Sequence, residues 1–500
     1  MTDDRASEGR RVLRNVAAIG AFAMSPVQMF LLVRALGPDG YGRWWWTFVI
    51  LEAATILGML GAELYVRREV PRVDRDGGDD DDVMAVVGSS LAVATVAGLA
   101  LGALLIAIAR PVAAAQGDAE LSLFLVVLAP QPLLWNLTVV LGAALQSRDI
   151  LTSVAVLRGV VLPVVQAVAL LLAWRGHLAI RPTLLLMLGV SALGLVAIAA
   201  LYGRYLSILR TLRHMLRPRH ARDALRYGTR LFVPALLFTI GGRLDLYVLG
   251  SYAGAVVVGV YAGCIQIGSA VASIRLLFDP IIQAQIGTLY ASHKGELAAS
   301  LRRLARLSAF AMAPVVVLIV AVGEPTLAFL LGRPVPEAVV PLVILVGGQI
   351  IVGVVVAAWL VPMMLPGRAL AMIAGSALVA KVVLLVMLVP SYGSIGAAIA
   401  TIAASFVAVF GQLRIGLREL GHRPYSADVV PMLLVTGILA AAGRGLYLEL
   451  AQHLGTLTAM CIAGGVSLAV LVAVQWWLLT RAERVSLLAM FGIGPRDVVG

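Results

Sequence analysis

Within the long apolar stretches of this 500-residue chain a few side chains carry full charge. Lipid would penalise each of them, and charges so placed usually face a protein interior or a water-filled cavity. Arg243 and Asp245 fall in FVPALLFTIGGRLDLYVLG. Two positions apart on a helix, they do not share a face, so they do not read as a self-neutralising pair. SIRLLFDPIIQAQ sets Arg275 and Asp279 four apart, on one face. Glu52 and Glu63 lie in the second apolar run, Arg158 in the fifth, and Gln28 stands near Pro26 in the first. Arg243 and Arg275 read as a cationic lining for an anionic substrate, with Asp245, Glu52 and Arg158 as further candidates. The competing reading pairs these arginines structurally with Asp245, Asp279 or Glu52. Glu63 and Asp279 sit near predicted helix ends, where they can reach headgroups, and Lys381 can snorkel from its helix.

Covalent chemistry finds no comparable support. GxxxxGK[ST], HExxH and GxSxG are all missing, and none of the six histidines falls centrally in an apolar run. Cys264 and Cys461 lie in apolar segments, which argues for neither a disulfide framework nor a zinc site. The expectation is a protein that is not an enzyme and holds no cofactor. Its energy source would be an ion gradient, the membrane potential or the substrate gradient itself. The Asn136-Leu137-Thr138 sequon is buried in the fourth run, which makes glycosylation implausible.

The elements that must position those charges follow from composition. The chain is 61% hydrophobic and 13% charged, with mean hydropathy +0.96. A soluble domain carries roughly 25% charged residues, so a soluble enzyme, a secreted disulfide-rich module and a disordered chain are excluded. Apolar runs occur at about 15–35, 44–66, 83–109, 121–145, 151–173, 183–203, 231–250, 255–278, 304–323, 337–362, 369–389, 393–413, 429–447 and 457–479. That makes fourteen, each long enough to cross as a helix. MTDDRASEGRRVLRN has no small-x-small cleavage site after it, so the first run reads as a retained span.

With the amino terminus inside, 28 of the 39 Lys and Arg fall in cytoplasmic segments, seven outside and four within runs. This bias sets both termini in the cytoplasm. It also accounts for the formal charge of +12 without a nucleic-acid partner. The basic connection 204–230 divides residues 1–203 (spans 1–6) from 231–415 (spans 7–12), and 416–500 carries the last two spans and a tail. Leu206, Leu209, Leu212 and Leu216 against Arg210, Arg213 and Arg217 predict an amphipathic helix on the inner leaflet, or a topology anchor and linker. Internal prolines such as Pro26, Pro130, Pro163, Pro234, Pro314 and Pro362 predict bent helices around a hydrated cavity. Trp44, Trp45 and Trp46 read as an interfacial belt, and Asp79 to Asp82 as a solvated loop face.

Residues 29–70, MFLLVRALGPDGYGRWWWTFVILEAATILGMLGAELYVRREV, resemble the opening of bacterial polysaccharide and O-antigen flippases. These belong to the multidrug/oligosaccharidyl-lipid/polysaccharide exporter superfamily. The pattern Leu-Gly-Pro-x-x-Tyr-Gly is matched by Leu36, Gly37, Pro38, Tyr41 and Gly42. The second half resembles the family through residues 245–250, Gly259-Val-Tyr261-Ala262, Pro280, Leu289-Tyr290 and residues 393–400. The resemblance implies two pseudo-symmetric six-helix lobes around a central cavity plus two accessory helices. It implies translocation of an undecaprenyl-pyrophosphate-linked oligosaccharide across the inner membrane by alternating access, for lipopolysaccharide or exopolysaccharide biosynthesis. Implied partners are that polyprenyl-linked glycan, membrane lipids, a glycan polymerase and glycosyltransferases. The first span departs from the peptidoglycan lipid-precursor branch in lacking a dense arginine set. A cation-coupled multidrug exporter stays open through Glu52 and Asp245, and a non-transporting partner of a glycan polymerase is the third alternative.

Overall fold

The computed structural model describes residues 2–148, 150–216, 219–276, 294–355, 367–420, 428–480 and 484. Side chains at 2–23, 25, 151, 228–240, 275–276, 367–368, 370, 416 and 419–420 are outside the description. Asp279, Pro280, Leu289, Tyr290 and Pro362 lie outside the described residues, as does the Arg275 side chain. All regular structure among the described residues is helical. The chain forms two compact units, Met1–Gly259 and Val260–Gly500.

Unit 1 contains α1 (Thr2–Met59), α2 (Ala62–Arg75), α3 (Asp80–Ala115), α4 (Leu121–Leu128) and α5 (Gln131–Ser147). These are followed by α6 (Leu151–Val156), α7 (Leu162–Arg175), α8 (Ile180–Gly203), α9 (Ile208–Leu216) and the first part of α10 (Ala221–Leu276). Two of the helices are pairs of spans joined at a glycine. Gly37 and Gly254 bend α1 and α10 with the same dihedrals, φ 74° and ψ 169°. That conformation belongs to glycine, because a Cβ would clash with the backbone. In unit 2, α11 (Lys294–Leu331), α12 (Val339–Val354), α13 (Gly367–Leu420), α14 (Val429–His453) and α15 (Thr456–Leu478) follow, and Gly393 (φ 52°) bends α13. Ten described helical segments are long and apolar enough to cross a membrane, with an eleventh from the bent α1–α2 pair. Three of these, in α1, α10 and α13, each join two of the apolar runs across a glycine bend, which brings the segments into register with fourteen runs.

Span breaks follow from local chemistry. Leu157–Val161 forms a single π turn between α6 and α7. Pro163 lacks an N–H, and its ring would crowd the carbonyl four residues back, so a widened turn relieves both problems. The Pro163 carbonyl also accepts from the Gln28 side-chain amide at 3.0 Å, tying α1 to α7. Leu60 (φ 44°) and Gly61 (φ 75°) turn the chain by 41° into α2. Ala62, Tyr65, Val66 and Val70 of α2 are buried at helical spacing, while its arginines face out.

The acidic run is not a merely solvated face. Asp79 and Asp82 form a reciprocal capping box at the start of α3. Asp80 and Asp74 both accept from Arg148, at 2.7 and 2.8 Å. Burial pulls the Arg148 pKa down, but these bonds more than offset it and the net direction is up. Asp81 meets His214 of α9 at 3.1 Å. The carboxylates therefore latch α9 and Arg148 to α3 and the end of α2. Gly88 of α3 admits Thr211 and His214 at close range, and Thr211 bonds the Tyr202 hydroxyl at 3.0 Å. The other face of α9 leaves Leu209, Leu212 and Leu216 exposed beside Arg210 and Arg213, an amphipathic surface suited to headgroups.

In unit 2, α14 and α15 dock along α11. Arg306 donates to the Leu478 carbonyl at 2.8 Å, satisfying an otherwise orphaned group at the end of α15. The Gln475 amide donates to Thr436 at 3.0 Å in a buried contact between α15 and α14. Glu324 and Arg444 pair at 3.1 Å. Lys381 does not snorkel: it is only 5% exposed. In mid-α13 its stem is enclosed by protein, so the ammonium is held inside the unit.

Candidate substrate site

The segment of α1 after Gly37 and the middle of α10 run antiparallel inside unit 1, joined by contacts at helical spacing. Gly42 lies against the backbone of Ala255, and Gly259 against Gly42 and Tyr41. Trp46 packs on Gly250. The Tyr247 hydroxyl donates to the Val49 carbonyl at 2.6 Å. Arg243 Nε then donates to Glu52 at 3.0 Å. Steps of three and four place 42, 46, 49 and 52 on one stripe of α1. Small residues bring the two backbones together at the glycine end, whereas two long side chains meet tip to tip at Glu52 and Arg243. The helices therefore diverge from Gly42 toward Arg243, and the ion pair sits in the wider part.

Arg243 is 30% and Glu52 28% exposed at the side chain, so the pair is reachable from outside the packed core. The guanidinium also lies 6.0 Å from the Trp45 ring centroid, at the outer limit of a cation–π contact. A half-screened ion pair contributes little to stability, on the order of 0–1 kcal/mol. Its position, and not its strength, makes it interesting.

The sequence-predicted residues divide between several places. Arg243 and Glu52 are brought together. Asp245 is 1% exposed and buried on another side of α10. Arg158 lies in the π turn with its guanidinium 5.1 Å from the Trp135 ring centroid. Arg275 closes α10, and its side chain is outside the described residues. Glu63 is used locally, accepting from Arg67 at 2.7 Å one turn on.

Sequence reasoning missed how two features beside the ion pair are used, the tryptophan run and Tyr247. The tryptophan run is not simply a belt: Trp45 is buried and Trp46 turns onto Gly250. Successive residues on a helix point about 100° apart, so three in a row cannot all face lipid. Tyr247, read only as part of a family pattern, supplies the hydrogen bond next to the ion pair. Asn136 is fully buried beside Gly58 of α1, in the interior of unit 1. No group of three or more His, Cys, Asp or Glu side chains that could hold a metal occurs among the described residues.

Residues 15–286 match the family described as polysaccharide biosynthesis protein. No curated protein sequence matches the chain at a significant level. Among solved structures, the lipid II flippase MurJ in an inward closed conformation superposes with TM-score 0.67 at 12% identity, covering 93% of this chain and 98% of that one. An inward-facing multidrug resistance MATE family transporter of the MOP superfamily gives TM-score 0.62 at 14% identity, over 82% and 97% of the two chains. MATE in a bent conformation gives 0.51 at 16% identity, over 83% and 97%. At such identities the likeness establishes the fold alone, the many-helix architecture seen in these structures. The family match spans more than half of the sequence, so the chain belongs to the polysaccharide biosynthesis protein family, with a fold like that of the MurJ and MATE structures.

Proposed function

We propose that the protein is a flippase that carries a polyprenyl-pyrophosphate-linked oligosaccharide from the inner to the outer leaflet of the cytoplasmic membrane, by alternating access. The observation that supports this most is the placement of Arg243. It is a guanidinium in a membrane-spanning helix, held by one carboxylate in the diverging part of a helix pair whose other end is closed by glycines. A diphosphate offers the planar, bidentate acceptor geometry that a guanidinium matches best. Arg243 would exchange Glu52 for the substrate's diphosphate as cargo enters. Glu52 then serves as the resident counter-ion that keeps the empty site neutral. Arg275 and Arg158 would extend the cationic path, and Asp245 would help set the field around it. In this reading spans 1–6 and 7–12 form the moving lobes, and 416–500 is accessory. A glycan polymerase and glycosyltransferases would act before or after the transfer.

A cation-coupled drug exporter is the second reading, favoured by the buried carboxylate of Asp245 and the MATE-like fold. Deleting the gene, then analysing lipid-linked glycans by mass spectrometry with an assay of their sidedness, separates the two. We expect an undecaprenyl-pyrophosphate oligosaccharide to accumulate on the inner leaflet, with drug sensitivity unchanged. Drug-sensitive cells with normal surface glycan would overturn the flippase reading. Accumulation of a peptidoglycan precursor would move the protein to that branch.

The orientation carries its own test. Both termini and the 204–230 connection are expected in the cytoplasm, from the skew of basic residues. Reporter fusions after Arg226 and after His177 should report cytoplasm and exterior respectively. Both on one side would refute the topology.

A further inference from the structure

At the end of unit 1 that carries α9, α2 and the first turns of α10 line an open, surface-facing cavity of about 380 Å³. Arg68 and Arg72 enter it from α2 and Arg226 from α10. Tyr65 and Tyr227 form its wall, their ring centroids 6.2 Å apart, and the Arg68 guanidinium lies 4.6 Å from the Tyr227 centroid. The cavity is separate from Glu52 and Arg243.

Arg68 and Arg72 are not consumed by their acidic neighbours. Arg68 is 3.6 Å from Glu69, and Arg72 is 3.5 Å from Glu69 and 3.6 Å from Asp76. These lie beyond the usual range of an N–H···O hydrogen bond. Elsewhere in the same unit the fold does close such bonds: Arg148 reaches Asp80 at 2.7 Å and Arg43 reaches Asp118 at 2.7 Å. The α2 guanidinium groups thus keep donor capacity for another acceptor.

Charge narrows the choice of that acceptor. The three arginines face Glu69 and Asp223, with His220 as a further polar wall. With His220 neutral the lining carries one net positive charge, which suits a singly charged phosphodiester better than a dianion. The location narrows it further. His220 donates its backbone N–H to Ser89 at 3.1 Å, next to Gly88, on which α9 packs. The exposed Leu209, Leu212 and Leu216 beside Arg210 and Arg213 put this level of the protein among lipid headgroups.

We propose that the cavity between α2 and α10 binds the phosphodiester of an anionic phospholipid of the adjacent leaflet, which bridges the two helices at the end of α10 opposite its glycine contact with α1. α2 continues, past the Gly61 turn, from the helix that carries Glu52, and α10 carries Arg243. A bound headgroup ties the inner ends of these helices together and so opposes their separation there.

Native mass spectrometry of the full-length protein in detergent tests this, with phosphatidylglycerol, phosphatidylcholine and inorganic phosphate as probes. Phosphatidylglycerol should be retained over phosphatidylcholine, and added salt should weaken retention. Losing charge-assisted hydrogen bonds should lower phosphatidylglycerol retention roughly tenfold in the Arg68→Gln/Arg72→Gln variant. Arg210→Gln/Arg213→Gln on α9 should leave it near wild type. Arg226→Gln probes the site from the other helix if the α2 variant does not fold. Inorganic phosphate that displaces the lipid, and itself depends on Arg68 and Arg72, would assign the site to soluble phosphate in place of lipid. Retention unchanged in the α2 variant, or in Arg226→Gln where that variant stands in for it, overturns the proposal, as does an equal loss in the α9 variant. None of these readouts requires glycan transport, so failure here leaves the proposed function standing.

Discussion

Replacing Arg243 with alanine should abolish export of the lipid-linked glycan while leaving a folded protein. The two effects separate by magnitude. The Arg243–Glu52 pair is about 30% exposed on both sides, so its removal should cost stability on the order of 1 kcal/mol or less. That is too little to unfold a protein of ordinary stability. If the guanidinium carries the diphosphate, its loss removes a bidentate, charge-assisted contact, and transport should fall more than tenfold. Arg243→Lys keeps the charge without the fork and should retain part of the activity. Glu52→Gln should be milder than Arg243→Ala, because it frees the arginine instead of removing it. The exchange Glu52→Arg with Arg243→Glu is the decisive control. It restores a pair in the same place but puts a carboxylate on α10 where the substrate's phosphate is expected. A purely structural pair would be rescued by the exchange, and a phosphate-carrying arginine would not. Export in reconstituted vesicles at matched protein level reads all four variants, and wild-type rates in Arg243→Ala would end the assignment.

Much of this architecture could be read from residue order alone, because the bilayer imposes it. Each span must satisfy its own backbone hydrogen bonds, which leaves apolar runs of about twenty residues as visible units. Glycine bends were harder to see. Gly37 entered the sequence reading only as part of the Leu-Gly-Pro pattern, and nothing in the sequence around Gly254 announces the same φ and ψ. The pairing of Glu52 with Arg243 was one of several arithmetically equal choices, since burial and charge name candidates without choosing partners 191 positions apart. The tryptophans were misjudged for the same reason: a run on a helix spreads around the axis, and only the neighbouring helix decides which ring turns in. The acidic run is solvent-exposed as read, but its partners were not legible. Asp79 to Asp82 resemble a solvated loop until Arg148 and His214 arrive from other parts of the chain.

The glycine contact at the narrow end of the α1–α10 pair predicts a graded series of substitutions. A methyl group added at Gly42 would collide with the backbone carbonyl of Ala255, which has no rotamer to change and cannot move without its helix. At Gly259 the added methyl would stand 3.2 Å from Gly42 Cα and from the Tyr41 ring, tight but open to small adjustments. At Gly189, in α8, there is nothing within 4 Å. Overpacking typically costs about 1–3 kcal/mol, whereas alanine in place of an unhindered helical glycine gains roughly 0.5–1 kcal/mol. Gly42→Ala should therefore be the most damaging of the three, Gly259→Ala intermediate, and Gly189→Ala neutral or slightly stabilising in thermal unfolding. The same order should hold for transport, with a larger spread. If the narrow end must close for the diverging end to accept substrate, Gly42→Ala holds the helices apart where they should meet. We expect it to lose more than tenfold in export, a barrier change of only about 1.4 kcal/mol. Cysteines introduced at Asp39 and Tyr252 should become more reactive to a membrane-impermeant thiol reagent in that background, because the glycine end of the pair stands open. Equal transport in Gly42→Ala and Gly189→Ala would show that the contact is packing alone, with no part in the transport cycle.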